Sequence, residues 1–418
     1  MFTNNDLTIE AAKKFDTEDP LRSFRNKFNF PKNEEGKELL YFTGHSLGLM
    51  PKQTQEYLDH ELNAWANLGV EGHFKGKFPW MPYHEFLTEK MAKIVGGKSS
   101  EVVVMNSLTV NLHLMLTSFY RPTKERFKIL IENNTFPSDK YAVDSQARFH
   151  GHDPKEAIIQ FDPKSHDMVV SDEEIEKTIL ENKDSLALIM LGNVNYLSGQ
   201  RFNFEKIAKL AHDNGIMIGF NLAHGAGNIE LKLHDWNVDF AVWCSYKYLN
   251  SGPGGIAGCF VHENHGHDAD IPRFEGWWGH KKESRFKMPA TFEPIGGAET
   301  WQLSNPPIFQ LASLRSSLDL FAQAGISNLQ KKSRHLTSYF KFLINEKCQG
   351  RFQVMTPEDC GAMICVNTGN HGKKLVDDFM DKGVIADFRE PNILRAAPVP
   401  MYNSYEDVYR FVEIMEKH

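Results

Sequence analysis

Residues 240–258 read FAVWCSYKYLNSGPGGIAG, and this stretch decides the fold. It opens as a short apolar run, Phe240 to Cys244, of the kind that fills a strand buried on both faces. The run leads into Ser245-Tyr246-Lys247 and then into Gly252, Gly254, Gly255 and Gly258. A lysine at the mouth of a buried strand is costly unless it is paired or its amine is used. Desolvation lowers the amine's proton affinity and makes it a nucleophile toward an aldehyde. Glycines just after it let the backbone approach a ligand closely. A lysine at a strand end can also simply snorkel to solvent, so Lys247 alone leaves both readings open.

Working outward, the same alternation continues on both sides. VVVMNS (102–107), FKILIENN (127–134), SLALIMLGNV (185–194), MIGFNLAHG (217–225) and GIAGCFVH (255–262) are further apolar runs. Between them lie helical segments such as TVNLHLMLTSFY (109–120), FPSDKYAVDSQARFHG (136–151) and FNFEKIAKLAHDNG (202–215). Short buried strands alternating with amphipathic helices predict an α/β fold, with a mostly parallel sheet covered on both faces. Upstream, ELLYF (38–42) reads as a strand and GHSLGLMPK (44–52) turns into a helix. That helix has Pro51 near its first turn, Leu58, Leu62 and Trp65 on one face, and Gly69 beyond its end. After about residue 300 come long helices, IFQLASLRSSLDLFAQAG (308–325) and EDVYRFVEIMEKH (406–418), around GAMICVNTG (361–369). The expected division is an N-terminal segment, 1–45, that joins a small α+β C-terminal domain, 301–418, with a large domain at 46–300.

Composition narrows the function. A net charge of −7 over 418 residues gives no basic face for nucleic acid. No apolar stretch reaches signal or membrane-spanning length, so a cytoplasmic protein without membrane contact is expected. The five cysteines show no CxxC spacing, which argues against structural zinc and for a reducing compartment.

Several segments carry polar groups to predicted strand ends, where open α/β sheets bind ligands. MIGFNLAHG ends in Asn221 and His224; a core histidine is the plain alternative for His224. NSLTVNLH places Ser107, Leu108 and Thr109 at a helix start, which suits a phosphate as well as an ordinary N-cap. NNTFPSDKY offers Phe136 for stacking on a planar ring and Asp139 as a carboxylate. FEGWWGH and WQLSNPP offer Trp277, Trp278 and Asn305 as lining for an aromatic substrate. In LRAAPVPMYNS, Arg395 stands between apolar residues and suits either a carboxylate clamp or a structural ion pair. GHSLG also matches the serine-hydrolase elbow at Ser46, but it comes before most of the sheet and leaves Lys247 unexplained. His262, His265 and His267 form a polar loop cluster suited to adventitious metal binding.

Taken in order, these segments resemble kynureninase, from GHSLGLMPK to LRAAPVPMYNS and most specifically in HDWNVDFAVWCSYKYLNSGPGGIAG. The resemblance implies a fold type I pyridoxal-phosphate enzyme of tryptophan catabolism. It would hydrolyse L-kynurenine or L-3-hydroxykynurenine to anthranilate or 3-hydroxyanthranilate plus L-alanine. It also implies a homodimer with a shared active site. Lys247 matches the Schiff-base lysine and Tyr246 a phosphate-contacting tyrosine that assists proton transfer. Leu108 and Thr109 match the phosphate loop, Phe136 the stacking ring, Asp139 a cofactor-side acid and His224 the histidine of a DLAH motif. Trp277 and Asn305 match a pair reaching in from the partner subunit. Ser46, His73 and Arg395 match the substrate pocket, and His73 and Asn305 would face a ring hydroxyl. Three positions depart from the pattern: DLAH is Asn221-Leu222-Ala223-His224, GNSLG carries His45, and a tyrosine expected near Leu197 is absent, with Tyr196 beside it. Asn221 is neutral where a carboxylate would keep the ring nitrogen protonated, so a weaker electron sink is expected. The alternatives are a relative that binds the cofactor but turns over poorly, or a related enzyme such as a cysteine desulfurase, which needs a reactive thiol.

Overall fold

The computed structural model describes residues 2–161 and 168–418. Its first strand, β1 (Leu40–Tyr41), stands outside the main sheet. The main sheet holds β2 (Val102–Val104), β3 (Lys128–Ile131), β4 (Ile158–Gln160), β5 (Leu186–Gly192), β6 (Met217–Asn221), β7 (Phe240–Trp243) and β8 (Gly258–Val261). Their order is β2-β8-β7-β6-β5-β3-β4. Strands β7, β6, β5, β3 and β4 run parallel, and β8 is antiparallel to both of its neighbours. Six of the seven strands are the apolar runs of the sequence. The seventh, β4, is a three-residue edge strand, too short and too little buried to stand out by pattern. Strands β7 and β8 are buried at every residue, as expected where helices cover both faces.

A second, antiparallel sheet lies toward the C-terminus. It contains β9 (Gln353–Val354), β10 (Ile364–Asn367), β12 (Asp387–Arg389) and β13 (Ile393–Ala396) in the order β12-β13-β10-β9. Strand β11 (Val384–Ile385) pairs in parallel with β1, tying residues 40–41 to this end of the chain. Ala12 and Phe42 pack in the same apolar cluster as Phe340, Phe379 and Phe411. The helix Ile308–Ala324 packs elsewhere: Leu311, Leu314, Leu318 and Phe321 join the cluster beneath the large sheet. A cut at residue 300 would run through that packing. Gly325, with φ +76°, separates this helix from Ile326–Lys347.

The helix Thr54–Leu68 forms where expected and stops at Gly69, φ +54°. Its orientation differs from the amphipathic reading. Glu61 is the buried residue, held by Tyr83, Trp80 and Arg315, while Leu62 and Trp65 face outward at 48% and 60% exposure. Leu58 is half-buried against the core, so only the Leu62 and Trp65 part of the apolar stripe is a surface feature.

Candidate active site

The parallel strands deliver their carboxyl ends to one edge of the large sheet, and the polar segments that follow them meet there. Strand β6 ends on Asn221, and β7 runs on to Tyr246 and Lys247. Strand β3 runs on to Glu132 and then to the helix Pro137–Phe149, whose first turn carries Asp139. Strand β2 leads to Leu108 and Thr109, the first residues of the helix Leu108–Phe119. Together with Ser138, Tyr196, His224 and the turn at Gly192, these residues line a cavity of about 150 Å³.

Lys247 Nζ lies 3.2 Å from His224 Nε2. Burial lowers the lysine's proton affinity, and the Arg395 guanidinium lowers it further. His224 is buried and held neutral by desolvation and by Lys247, and its Nδ1 has no hydrogen-bond partner. Across the cavity, Asn221 Nδ2 donates to Asp139 Oδ2 at 2.6 Å, and Asn221 Oδ1 accepts from the Ala223 N–H. Burial lifts the Asp139 carboxyl to about 6 against the pull of Asn221 and Lys247. Its Oδ1 is buried without a partner and available to a ligand donor. Thr109 Oγ1 and Ser138 Oγ share a hydrogen bond at 3.0 Å, each hydroxyl at a helix start. Phe136 is 48% exposed at the rim, its ring edge-on to Tyr196. Burial raises the Tyr246 hydroxyl, which stays protonated.

The cavity thus gathers Lys247, Tyr246, Leu108, Thr109, Phe136, Asp139, Asn221 and His224. It adds Glu132 and Ser138, which sequence reasoning missed. Glu132 is a buried carboxyl on the cavity wall, accepting from Asn195 Nδ2, and burial lifts it to about 8. Nothing in FKILIENN separates it from a solvated glutamate at a strand end. A side chain at Gly192 would collide with its carboxylate, so that glycine is what lets Glu132 lie against the wall. Ser138 was concealed by its position between the two residues already chosen, Phe136 and Asp139.

The remaining predicted residues lie outside this cavity. Arg395 is buried on β13, ion-paired to Asp387, with NH1 donating to the Tyr196 carbonyl at 2.9 Å. Ser46 is exposed and lines a neighbouring cavity with Asp387 and Arg389. It stands on no strand-to-helix elbow. Gly48 is required instead because a Cβ there would strike the Lys247 carbonyl, and its N–H donates to the Tyr246 carbonyl. Trp278 is 1% exposed and packed beneath the Arg285 guanidinium, outside the lining of this cavity. Its neighbour Trp277 points the other way, 40% exposed. Asn305 is exposed, and His73 Nδ1 is turned back to the Val70 carbonyl. His262 joins His234 and Glu101 in a group close enough for a metal, but Glu101 already accepts from His234 and from the backbone N–H groups of Lys98 and Glu263. All five cysteines are unpaired, and burial raises every thiol, so none is poised as a nucleophile.

Comparisons with known proteins fit this geometry. The fold is similar to a C-DES mutant with glycine covalently linked to the PLP cofactor: TM-score 0.77, 14% identity, 94% of this chain and 98% of that one. It is also similar to a cysteine desulfurase from Thermococcus onnurineus NA1: TM-score 0.73, 19% identity, 91% and 94% covered. At these identities the likeness concerns the fold. In sequence, residues 329–415 match the kynureninase C-terminal domain. The chain is 54% identical to the kynureninase of Myxococcus xanthus, covering 97% of this chain and 96% of that one. It is 51% identical to that of Koribacter versatilis, covering 98% and 97%. With the lysine, the cavity and full-length identity in agreement, the chain belongs to the kynureninase family.

Proposed function

We propose that this protein adds water to L-kynurenine or L-3-hydroxykynurenine and releases anthranilate or 3-hydroxyanthranilate together with L-alanine. The carrying observation is Lys247, a nucleophilic amine at the strand-end cavity of a chain in this family. Pyridoxal phosphate suits the cavity by its donor set. Lys247 Nζ would hold its aldehyde carbon. The Thr109 and Ser138 hydroxyls, with the free N–H groups of the helix Leu108–Phe119, suit its phosphate. The unpartnered Asp139 Oδ1 and His224 Nδ1 are buried polar atoms awaiting a ligand. When bound, pyridoxal phosphate supplies an electron sink for cleaving the substrate's Cβ–Cγ bond.

The chain's own groups then divide the work. Lys247 Nζ takes the proton from the substrate's Cα, and the neutral His224 beside it leaves that amine unpaired with any anion. Tyr246, kept protonated by burial, delivers a proton to the three-carbon fragment that leaves as alanine. Asp139, oriented by Asn221, would provide the negative charge that the cofactor ring needs, while Asn221 would contribute only a neutral dipole. Arg395 receives the substrate α-carboxylate.

The same reading makes the protein a cytoplasmic homodimer. Exposed Trp277 packs against Phe286, Phe286 against Phe74 and Phe74 against His73, forming one aromatic face, and Trp65 and Phe309 form a further exposed aromatic pair. A second copy covering this face would bring Trp277 and Asn305 to the other subunit's cavity. The five unpaired cysteines suit a reducing compartment.

The test is direct. The purified protein should absorb in the visible and generate anthranilate fluorescence from kynurenine. Lys247→Ala should lose the visible band and at least about 10⁴-fold in turnover, the upper range for a positioned acid–base group. Retention of both by the variant would end this assignment.

A further inference from the structure

A node of four charged or titratable side chains lies behind the cavity, and the mechanism above uses only one of them. Asp387, on β12, pairs with Arg395, lies 3.3 Å from Arg389 and 3.3 Å from His45 Nε2. His45 is fully enclosed, its Nδ1 has no hydrogen-bond partner, and its ring lies 6.5 Å from that of His224. One carboxylate therefore serves two guanidiniums and an imidazole. Arg395 approaches its other acceptor, the Tyr196 carbonyl, through NH1 alone.

Resting on the reading of Arg395 as the α-carboxylate site, we propose that His45 is a proton-coupled positioning residue: it takes a proton from solvent when a substrate carboxylate binds Arg395, and as imidazolium it holds Asp387 while Arg395 turns to the substrate.

The charges require such a response. In the free protein the groups facing His45 are Asp387 from β12, Arg395 from β13, Lys247 from the segment after β7 and His224 from the turn after β6. Arg389 shares Asp387, and Lys373 and Glu390 line the adjoining cavity. Burial, against the pull of Asp387 and with the help of Arg395 and Lys247, holds His45 neutral, its proton affinity lowered to about 4. A substrate carboxylate adds a second negative charge at Arg395. That leaves Asp387 short of a donor and raises the proton affinity of His45. Uptake on binding and tighter binding at low pH are the same linkage seen from two sides. The direction is fixed: the complex carries the extra proton, so KM must fall as pH falls.

His45→Asn keeps a side-chain donor for Asp387 and removes the proton site. In the holoenzyme, KM for kynurenine should fall at least about fivefold more between pH 8 and pH 5.5 for the unchanged protein than for the variant, the lower end of ordinary coupling. The kcat profiles of the two should run parallel. Changes in the substrate's own amine affect both proteins equally and cancel in the comparison. Calorimetric titration with L-alanine, in two buffers of different ionisation enthalpy, should show net proton uptake that is smaller or absent in His45→Asn. Parallel KM profiles, or equal proton uptake in both proteins, would overturn the coupling. Failure of the unchanged protein to turn over kynurenine would instead overturn the reading of the reaction, and the alanine titration would still judge His45.

Discussion

Lys247, His224, Asp139 and Asn221 meet inside one chain, joined by contacts of 3.2 and 2.6 Å. Trp277, Asn305 and His73 belong to the same expected site, yet none of them lines this cavity: Trp277 and Asn305 are exposed, and His73 packs beside exposed Phe74. The first region is built by strand ends, which the sheet's hydrogen bonds fix relative to one another. The second is built by two 3-10 turns and a loop, and none of its three residues is among those lining the cavity. The contrast teaches that the cofactor side is built by the fold of one chain, whereas in the proposed homodimer recognition of the substrate's ring would fall to a second copy.

Among changes that separate the two regions, the largest effect should come from the outer face. Trp65→Asp with Phe309→Asp puts charge into two exposed aromatic positions that touch each other, ring centroids 6.0 Å apart. Loss of a central aromatic contact costs about 2 kcal/mol or more, so dimer dissociation should strengthen at least about 30-fold. Sedimentation velocity should show a shift to monomer, with turnover falling while the visible absorbance persists. A variant that stays dimeric and fully active would erase the proposed difference between the two regions.

A smaller effect tests the cavity alone. Asn221→Asp places a second carboxylate where a neutral amide now sits. A charge-assisted hydrogen bond exceeds a neutral one by about 1.4 kcal/mol, so turnover of kynurenine should rise by about tenfold. In protein stripped of cofactor the same change should lower stability, because two carboxylates at hydrogen-bonding distance must share a proton. An unchanged or lower rate would mean that Asn221 does not bear on the ring nitrogen.

The smallest effect concerns Glu132. Folding raises its proton affinity from the ordinary carboxylate range to about 8. Between those values the folded protein holds a proton that the unfolded chain has released. Stability therefore drops as pH rises through that window. Glu132→Gln removes this dependence, and its melting temperature in the cofactor-free protein should gain a few degrees more at pH 8 than at pH 5. Equal gains at both pH values would mean that Glu132 is charged in the folded cavity.

Legibility followed the same divide. Thr109, Phe136, Asp139, Asn221 and Lys247 could be found because each follows an apolar run, and a parallel sheet sends all such ends to one edge. Asp387 could not, because a carboxylate in ADFREP looks like any polar turn until β12 and β13 pair it with Arg395. Trp277 and Trp278 read as a matched pair, but adjacent residues in a 3-10 turn point in different directions, and only one faces out. Leu58, Leu62 and Trp65 have the spacing of a core stripe. Periodicity identifies a helix's apolar side without saying whether this chain or another copy covers it.

By itself the sequence determined the order of buried strands, the lysine after the fifth of the apolar runs, which becomes β7, and the neutral residue at Asn221. Each of these depends on local composition and chain order. The tertiary structure alone decided that Asp139 and Asn221 share a hydrogen bond across 82 positions, that Arg395 is occupied by Asp387, and that His45 stands behind that pair. Those contacts join residues far apart in the chain, and electrostatic energy depends on the distance between charges and on their burial, which only packing sets.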